Sequence, residues 1–449
     1  MSDILSHRVH LRKLAVLGVP LMGSHIATVA MGMTDALMLG WYDVAALAAV
    51  TLSFSMFFVL SIMGSGFAFA VMPMVATALG RDDLTQARRI TRMGIWVSTI
   101  YGVIVMPPLI WSEPILLALG QDPEIAALAQ QYLRVVAFAM VPGLLVTVLK
   151  SHLSAVERAQ AILWITVLAA IVNAIVNYIF IFGNFGAPEL GVVGAGLATM
   201  SLTLVSLVAT VLYAHSALPE HRLFQRLWRP DREAFAEVFK VGWPIGLTNL
   251  AESGLFAASG LMMGWLGTNV LAAHGIAIQL ASITFVLHLG LSQAATVRAG
   301  NALGRDDRHG LGRGAYVAVV ASVLIALVTV AIFLAVPEFL LGLFLDPSDP
   351  SKPEIVAIGV GLLVVAALFQ LADGGQVMAL GLLRGLQDTK TPMIIAALSY
   401  WALGMPAAYV FGFVFDWGGP GVWLGLTLGL TSAAGLMMWR FWRVILPRM

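Results

Sequence analysis

The chain has 449 residues, 59% of them hydrophobic and 11% charged, with a mean hydropathy of +0.90. A soluble domain carries about 25% charged residues, so this chain has too little polar side chain to cover a water-facing surface, and lipid is its expected solvent. The net charge of +1 is neutral on a nucleic-acid partner, but the lack of any basic cluster beyond short loop pairs argues against one, and a cysteine count of zero excludes disulfides, thiolate metal sites and a cysteine nucleophile.

A membrane-spanning helix needs about 20 mostly apolar residues. Twelve such segments begin near residues 14, 46, 90, 125, 161, 191, 241, 270, 314, 355, 393 and 422. The first runs past Leu37 without a small-residue cleavage site, so it reads as a retained helix and not a secretory signal. Arginine and lysine precede the first segment (Arg8, Arg12, Lys13) and return after every second one: Arg81 to Arg92, Lys150 with Arg158, Arg222 to Lys240, Arg298 to Arg313, Arg384 with Lys390, and Arg440 to Arg448. The other loops carry acids or nothing: Asp43, Glu113, Asp122, Glu124, Glu189 and Asp416, with Lys352 an exception among Glu338, Asp346, Asp349 and Glu354. Arg134 falls inside the fourth segment, so 23 of the 25 basic residues lie on one side, and the positive-inside rule makes that side the cytoplasm.

A phrase recurs along this pattern. Thr77–Asp83 reads TALGRDD and Asn301–Asp307 reads NALGRDD, at an offset of 224. The same offset aligns Gly18 and Pro20 with Gly242 and Pro244, Met38, Gly40 and Trp41 with Met262, Gly264 and Trp265, and Gly66 and Ala70 with Gly290 and Ala294. A weaker echo pairs the stretch from Leu153 with that from Leu383, and Gly194 with Gly421. Two halves of six spans each have the same orientation, and parallel repeats of this kind commonly form secondary transporters. The expected fold is an all-α membrane protein of twelve transmembrane helices in two parallel-oriented six-helix bundles. The bundles are residues 1–214 and 241–449. Residues 215–240 form a cytoplasmic linker whose Leu223, Leu227, Phe235 and Phe239 are expected to make an amphipathic stretch on the leaflet. The charges of the repeated phrase are expected to cap helix ends and pin topology.

Three carboxylates, Asp35, Glu252 and Asp373, fall inside spans. An ionised acid at membrane depth is costly unless paired or wet, which makes these three functional candidates. Asp35 shares a helix face with Ser24 and Thr28, and Glu252 with Thr248 and Ser259. Under the offset Thr28 meets Glu252 and Asp35 meets Ser259, so the polar stripe is kept while the acid moves along it. Pro20 and Pro244 interrupt the equivalent helices, each freeing a backbone carbonyl and permitting a bend. Asn173 and Asn177 lie four apart on one face of the fifth span, with Thr199 in the sixth. With Asp35 they make an oxygen-rich set that suits a hard cation such as Na⁺; a carboxyl in a dry site carries a proton instead. The eighth span adds Gln279, Gln293 and His288, the last read as a packing residue.

The stretches VPLMGSHIATVAMGMTDALMLG, WPIGLTNLAESGLF, FQLADGGQV and LRGLQDTKTPM together resemble the multidrug and toxic compound extrusion (MATE) family, in its NorM-like branch, over nearly the whole chain. The resemblance implies a transporter and not an enzyme: a multidrug efflux antiporter that exports cationic amphiphilic compounds in exchange for Na⁺ or H⁺ by alternating access. Glu252 and Asp373 resemble the cation-coupling acids of the C-terminal half. Asp35, Asn173, Asn177 and Thr199 resemble the cation or substrate site of the N-terminal half. Na⁺ would be held at Glu252 and Asp373, or at Asp35, Asn173 and Asn177. The position of Asn177 is an Asp in some relatives, a departure that bears on whether this half alone binds a cation. No cofactor is implied beyond the coupling ion. The expected partners are small-molecule cationic drugs and the lipid bilayer, with no nucleic acid. The chain is expected as a monomer in the bacterial inner membrane, multi-pass, with both termini cytoplasmic. A lipid-linked precursor flippase of the same superfamily would need a large basic cavity, and intramembrane Lys or Arg is nearly absent. A polytopic membrane transferase would need clustered acids for Mg²⁺ or a His motif, and neither is seen.

Overall fold

The computed structural model describes residues 7–348 and 350–449, with the side chain of Val44 left aside. Asp349, among the acids of the loop that holds Lys352, lies outside the described residues. All regular structure among the described residues is helical. The first half supplies α1 (His7–Tyr42), α2 (Val44–Gly80), α3 (Leu84–Ile110), α4 (Pro123–Ala155), α5 (Ala159–Phe182) and α6 (Gly191–Ala217). The second supplies α7 (Arg232–Trp265), α8 (Thr268–Gly304), α9 (Arg308–Ala335), α10 (Lys352–Gly385), α11 (Lys390–Val414) and α12 (Gly418–Arg448). Among the described residues eleven of these are long and apolar enough to cross a membrane. The remaining one, α7, has 34 residues and is made more polar by Thr248, Asn249, Glu252 and Ser253.

The repeat is visible at atomic detail. Helices α2 and α8 each have 37 residues and start at the 224 offset. Each ends in the repeated phrase, whose sixth residue takes a left-handed turn: Asp82 at φ 58° and Asp306 at φ 55°. Asp tolerates that region better than most side chains. The following Asp caps the next helix: the Asp83 carboxylate accepts from the Gln86 backbone N–H at 2.8 Å, and that of Asp307 from Gly310 at 2.7 Å. An N-cap of this kind contributes about 1 kcal/mol by satisfying an otherwise orphaned donor. The phrase is therefore a stop-and-restart signal, as its charges foretold. The weaker echo also has a structural counterpart. The Arg158 N–H donates to the Leu153 carbonyl and that of Asp388 to Leu383, each over a left-handed residue, Glu157 or Gln387. A Cβ on Gly194 or Gly421 would stand 2.4 Å from the carbonyl oxygen of Phe180 or Phe411 respectively.

The chain forms two compact units. One holds residues up to Met22 together with Leu247–Met449, the other Gly23–Gly246. The cuts fall at equivalent places, just past Pro20 in α1 and Pro244 in α7. In the unit of residues 23–246, Gly66 of α2 meets the first turns of α7: its Cβ would lie 2.3 Å from Gly246 N and 2.6 Å from Gly242 O. In the other unit Gly290 of α8 meets α1, with a Cβ 2.6 Å from Met22 N. Each unit thus seats the beginning of one half's first helix on the other half's second helix.

The linker differs from the single amphipathic stretch expected on the leaflet. Residues 218–231 form short turns, and Arg232–Lys240 is already the start of α7. Ala234, Val238, Val241 and Ile245 form the buried stripe of that start, while Phe239 is exposed and Leu223 is buried in the turns. Helical periodicity cannot continue from Leu227 to Phe235 because Pro230 removes a donor and disfavours helix at Arg229. The turns are tied to α3: Arg89 binds Asp231 at 2.5 Å and Glu233 at 2.9 Å, and the Trp96 indole donates to Leu227 O at 2.7 Å. Arg89 beside it holds the Asp231 carboxyl below the usual carboxylate range.

Candidate functional site

The unit of residues 23–246 brings Asp35, Asn173 and Asn177 together. Asn173 and Asn177 are one turn apart on α5 and fully buried. The Asn177 amide donates to Asp35 Oδ1 on α1, and its contact with Asn173 Oδ1 is long, at 3.5 Å. Asn173 Nδ2 and Asn177 Oδ1 are buried without a hydrogen-bond partner. Thr199 stands one step away: its hydroxyl lies 3.3 Å from that of Tyr132, which is within electrostatic reach of Asp35. Tyr132 of α4 is a neighbour that the sequence did not single out.

The rest of the stripe on α1 serves packing. Thr28 donates back to Ser24 O at 3.0 Å, and Ser24 and Thr166 share a hydrogen bond at 2.9 Å. Thr166 also accepts from Lys150 Nζ at 2.8 Å. Lys150 was counted with the loop charges; it lies within α4 with its ammonium turned inward.

The other unit brings Glu252 of α7 and Asp373 of α10 within electrostatic reach of each other. Gln376, one turn beyond Asp373, lies near both Glu252 and the Tyr400 hydroxyl of α11, in hydrogen-bonding geometry with neither. Tyr400 is fully buried on a stretch of α11, Leu398–Gly404, that is wound as π-helix, a local widening frequent at functional sites. Arg384, expected as a cytoplasmic loop charge, belongs to α10. Its guanidinium donates to Asn249 Oδ1 at 2.7 Å, one turn before Glu252, and acts electrostatically on Glu252. Glu252 Oε1, Asp373 Oδ1, both polar atoms of the Gln376 amide and the Tyr400 hydroxyl are all buried without a hydrogen-bond partner. Each such atom costs about 1–3 kcal/mol. A cluster of them, mostly oxygens, fits a hard monovalent cation or a proton. Among the described residues no three His, Cys, Asp or Glu side chains gather in a metal-binding group. A cation here would therefore rest on two carboxylates and neutral oxygens.

His288 has its Nδ1 2.9 Å from Ser322 Oγ, which in turn donates to Gly374 O at 3.2 Å beside Asp373, and its Nε2 is buried without a hydrogen-bond partner. Pro20 and Pro244 lie within α1 and α7, and both helices run on through them.

Two copies of a six-helix apolar repeat, with Asp35 in one unit and Glu252 and Asp373 in the other set among polar neighbours, define a multi-pass membrane transport protein. The chain belongs to the MatE family, whose model matches residues 20–179 and 244–410, two stretches whose starts differ by the repeat offset. This is the multidrug and toxic compound extrusion family anticipated from the motifs, a family of transporters and not of enzymes. The chain is 47% identical over 438 residues to the "Probable multidrug resistance protein NorM" of Rhizobium meliloti (strain 1021), covering 97% of this chain and 94% of that one. It is 44% identical over 434 residues to the protein of the same name from Agrobacterium fabrum, covering 96% and 93%. Among solved structures it resembles "Crystal structure of MATE in complex with MaL6" with a TM-score of 0.87 at 22% identity, covering 98% of each chain. It also resembles "Outward-facing conformation of a multidrug resistance MATE family transporter of the MOP superfamily" with a TM-score of 0.84 at 22% identity, covering 96% of this chain and 95% of that one. These structures share the fold.

Proposed function

We propose that the chain is a multidrug efflux antiporter that exports cationic amphiphilic compounds from the cell in exchange for Na⁺ or H⁺ by alternating access. It acts as a monomer in the bacterial inner membrane, with both termini cytoplasmic. The observation that carries this reading is the pair Glu252 and Asp373, each with a buried carboxylate oxygen that nothing in the protein satisfies. Carboxylates kept in such surroundings are retained for an ion that visits them. Asp35, with Asn173, Asn177 and Thr199, is the second polar centre and serves ion or substrate in the other unit. Pro20 and Pro244 are the bend points of the two first helices.

The ion and the drug exclude each other because both are cations seeking the same acids. Arg384 sharpens that exclusion: with both carboxylates ionised, its guanidinium leaves the group at Glu252 and Asp373 with a net charge of −1, which one monovalent cation neutralises. The test is uptake of a fluorescent cationic dye into inside-out vesicles, with Na⁺ and pH gradients imposed separately. Uptake driven by one of the two gradients supports the antiporter. Dye movement that ignores both refutes it.

A further inference from the structure

The turns that close the first half build, with α3, a cleft of about 340 Å³ within the unit of residues 23–246. Met93, Trp96 and Ile100 form one wall, and Trp228, Pro230 and Phe235 the other. Its volume is in the range of a small-molecule pocket. Trp228 is 77% exposed and Trp96 40%, although the Trp96 indole N–H is anchored on the linker. Exposed tryptophan is at home where hydrocarbon meets headgroups.

Cationic side chains gather beside the cleft. Arg232 is on its lining next to Asp231. Arg88, Arg89 and Arg229 act electrostatically on Arg92, whose guanidinium donates to the Arg226 carbonyl. Arg89 is committed to Asp231 and Glu233, and Arg92 lies 3.7 Å from Asp231 with its Nε buried and without a partner. Among the described residues Arg226, Arg229 and Arg232 pair with no carboxylate, and all three are exposed. An apolar slot with one unpaired guanidinium on its lining, Arg232, and two more on the turns that form one wall, Arg226 and Arg229, offers two chemistries at once. A free phosphate would use only the guanidiniums. A neutral lipid would use only the slot. A cationic drug would be repelled by the guanidiniums.

We propose that this cleft binds an anionic phospholipid of the surrounding bilayer, with its phosphate on Arg226, Arg229 and Arg232 and an acyl chain between Trp96 and Trp228. Basic pockets beside membrane helices are suited to such headgroups. An occupant here would brace the turns that lead directly into α7, the helix that carries Glu252.

The full-length protein in phosphatidylcholine vesicles tests this with brominated lipids, which quench tryptophan on contact. The signal of Trp96 and Trp228 is isolated as the difference between the wild type and a Trp96→Phe/Trp228→Phe variant. Brominated phosphatidylglycerol should occupy the cleft more strongly than brominated phosphatidylcholine at equal mole fraction, by about fivefold for each arginine engaged. Arg226→Gln/Arg229→Gln, both on exposed turns, should remove most of that preference. Equal quenching by the two lipids in the wild type overturns the proposal whatever the variants do. Loss of the preference on adding inorganic phosphate also overturns it, by showing a free-anion site.

Discussion

Glu252→Gln and Asp373→Asn test the proposed coupling most directly. On the proposed coupling, both acids ionised beside Arg384 give the group one net negative charge, so that it would take one monovalent cation per cycle. If the exported dye is also a monocation, exchange is one for one and moves no net charge. The membrane potential then contributes nothing, and the ion's concentration gradient sets the limit. A tenfold ion gradient is worth about 1.4 kcal/mol and sustains about a tenfold dye gradient at steady state; a hundredfold ion gradient sustains about a hundredfold dye gradient. Either variant keeps the shape of the site and removes the charge, so the dye ratio should fall to about one while the protein still inserts and purifies as a folded helical chain. The assay is steady-state dye accumulation in proteoliposomes across a series of imposed gradients, with the potential clamped at zero and then displaced. Wild-type dye ratios in both variants would remove Glu252 and Asp373 from coupling. A wild-type ratio that follows the clamped potential would refute the one-for-one exchange.

Other outcomes follow from the same structure. Gly66→Ala and Gly290→Ala, which would force a Cβ against the backbone of α7 and α1, should each lower stability by about 1–3 kcal/mol through overpacking. Gly435→Ala, with open space at its Cβ, should be neutral or stabilising by about 0.5–1 kcal/mol; thermal unfolding in detergent compares the three. The turns at residues 218–231 should loosen in two acid steps. His221, held below its ordinary 6.5 mainly by burial, stabilises the turns fully above 6.5, and that contribution is lost as pH falls from 6.5 through its folded value. Asp231, held below its ordinary 3.8 by Arg89, contributes fully above 3.8 and loses its contribution as pH falls further. Hydrogen exchange of the turns, corrected for intrinsic rates, reads both steps, and Arg89→Gln should shrink the lower one and leave the upper one in place, since Arg89 is the largest cause of the Asp231 shift.

The repeat was legible because it is written in capping chemistry. Asp83 and Asp307 must follow a left-handed residue and precede a helix, and such local rules survive translation into sequence. Asn173 and Asn177 were legible as a pair because a spacing of four places them on one face, and the acid they serve was already conspicuous in an apolar helix. Arg384 was not legible. An arginine at the end of an apolar segment reads as a topogenic charge, and only the fold shows that its side chain turns back towards Asn249 and Glu252. Gln376 and Tyr400 were missed for related reasons. A glutamine is not costly enough in a span to stand out, and the π-wound stretch that carries Tyr400 changes which face of α11 it occupies. The exchange of helix beginnings was hidden because Gly66 and Gly290 align under the offset whichever helix they meet.

The two polar centres are copies of one stripe that have diverged in what completes them. At the first, the acid sits at the position of Ser259 and already accepts the Asn177 amide. At the second, the acid sits at the position of Thr28, and Glu252 and Asp373 retain oxygens that no side chain satisfies. A carboxylate with a fixed amide donor needs a visiting ion less than one without. The nearest cation at the second centre, Arg384, hydrogen-bonds Asn249 and reaches Glu252 only through space. The unsatisfied carboxylate oxygens are therefore in the unit that contains α7 and α10, and that asymmetry within a symmetric fold is the reason the proposed coupling ion is put at Glu252 and Asp373.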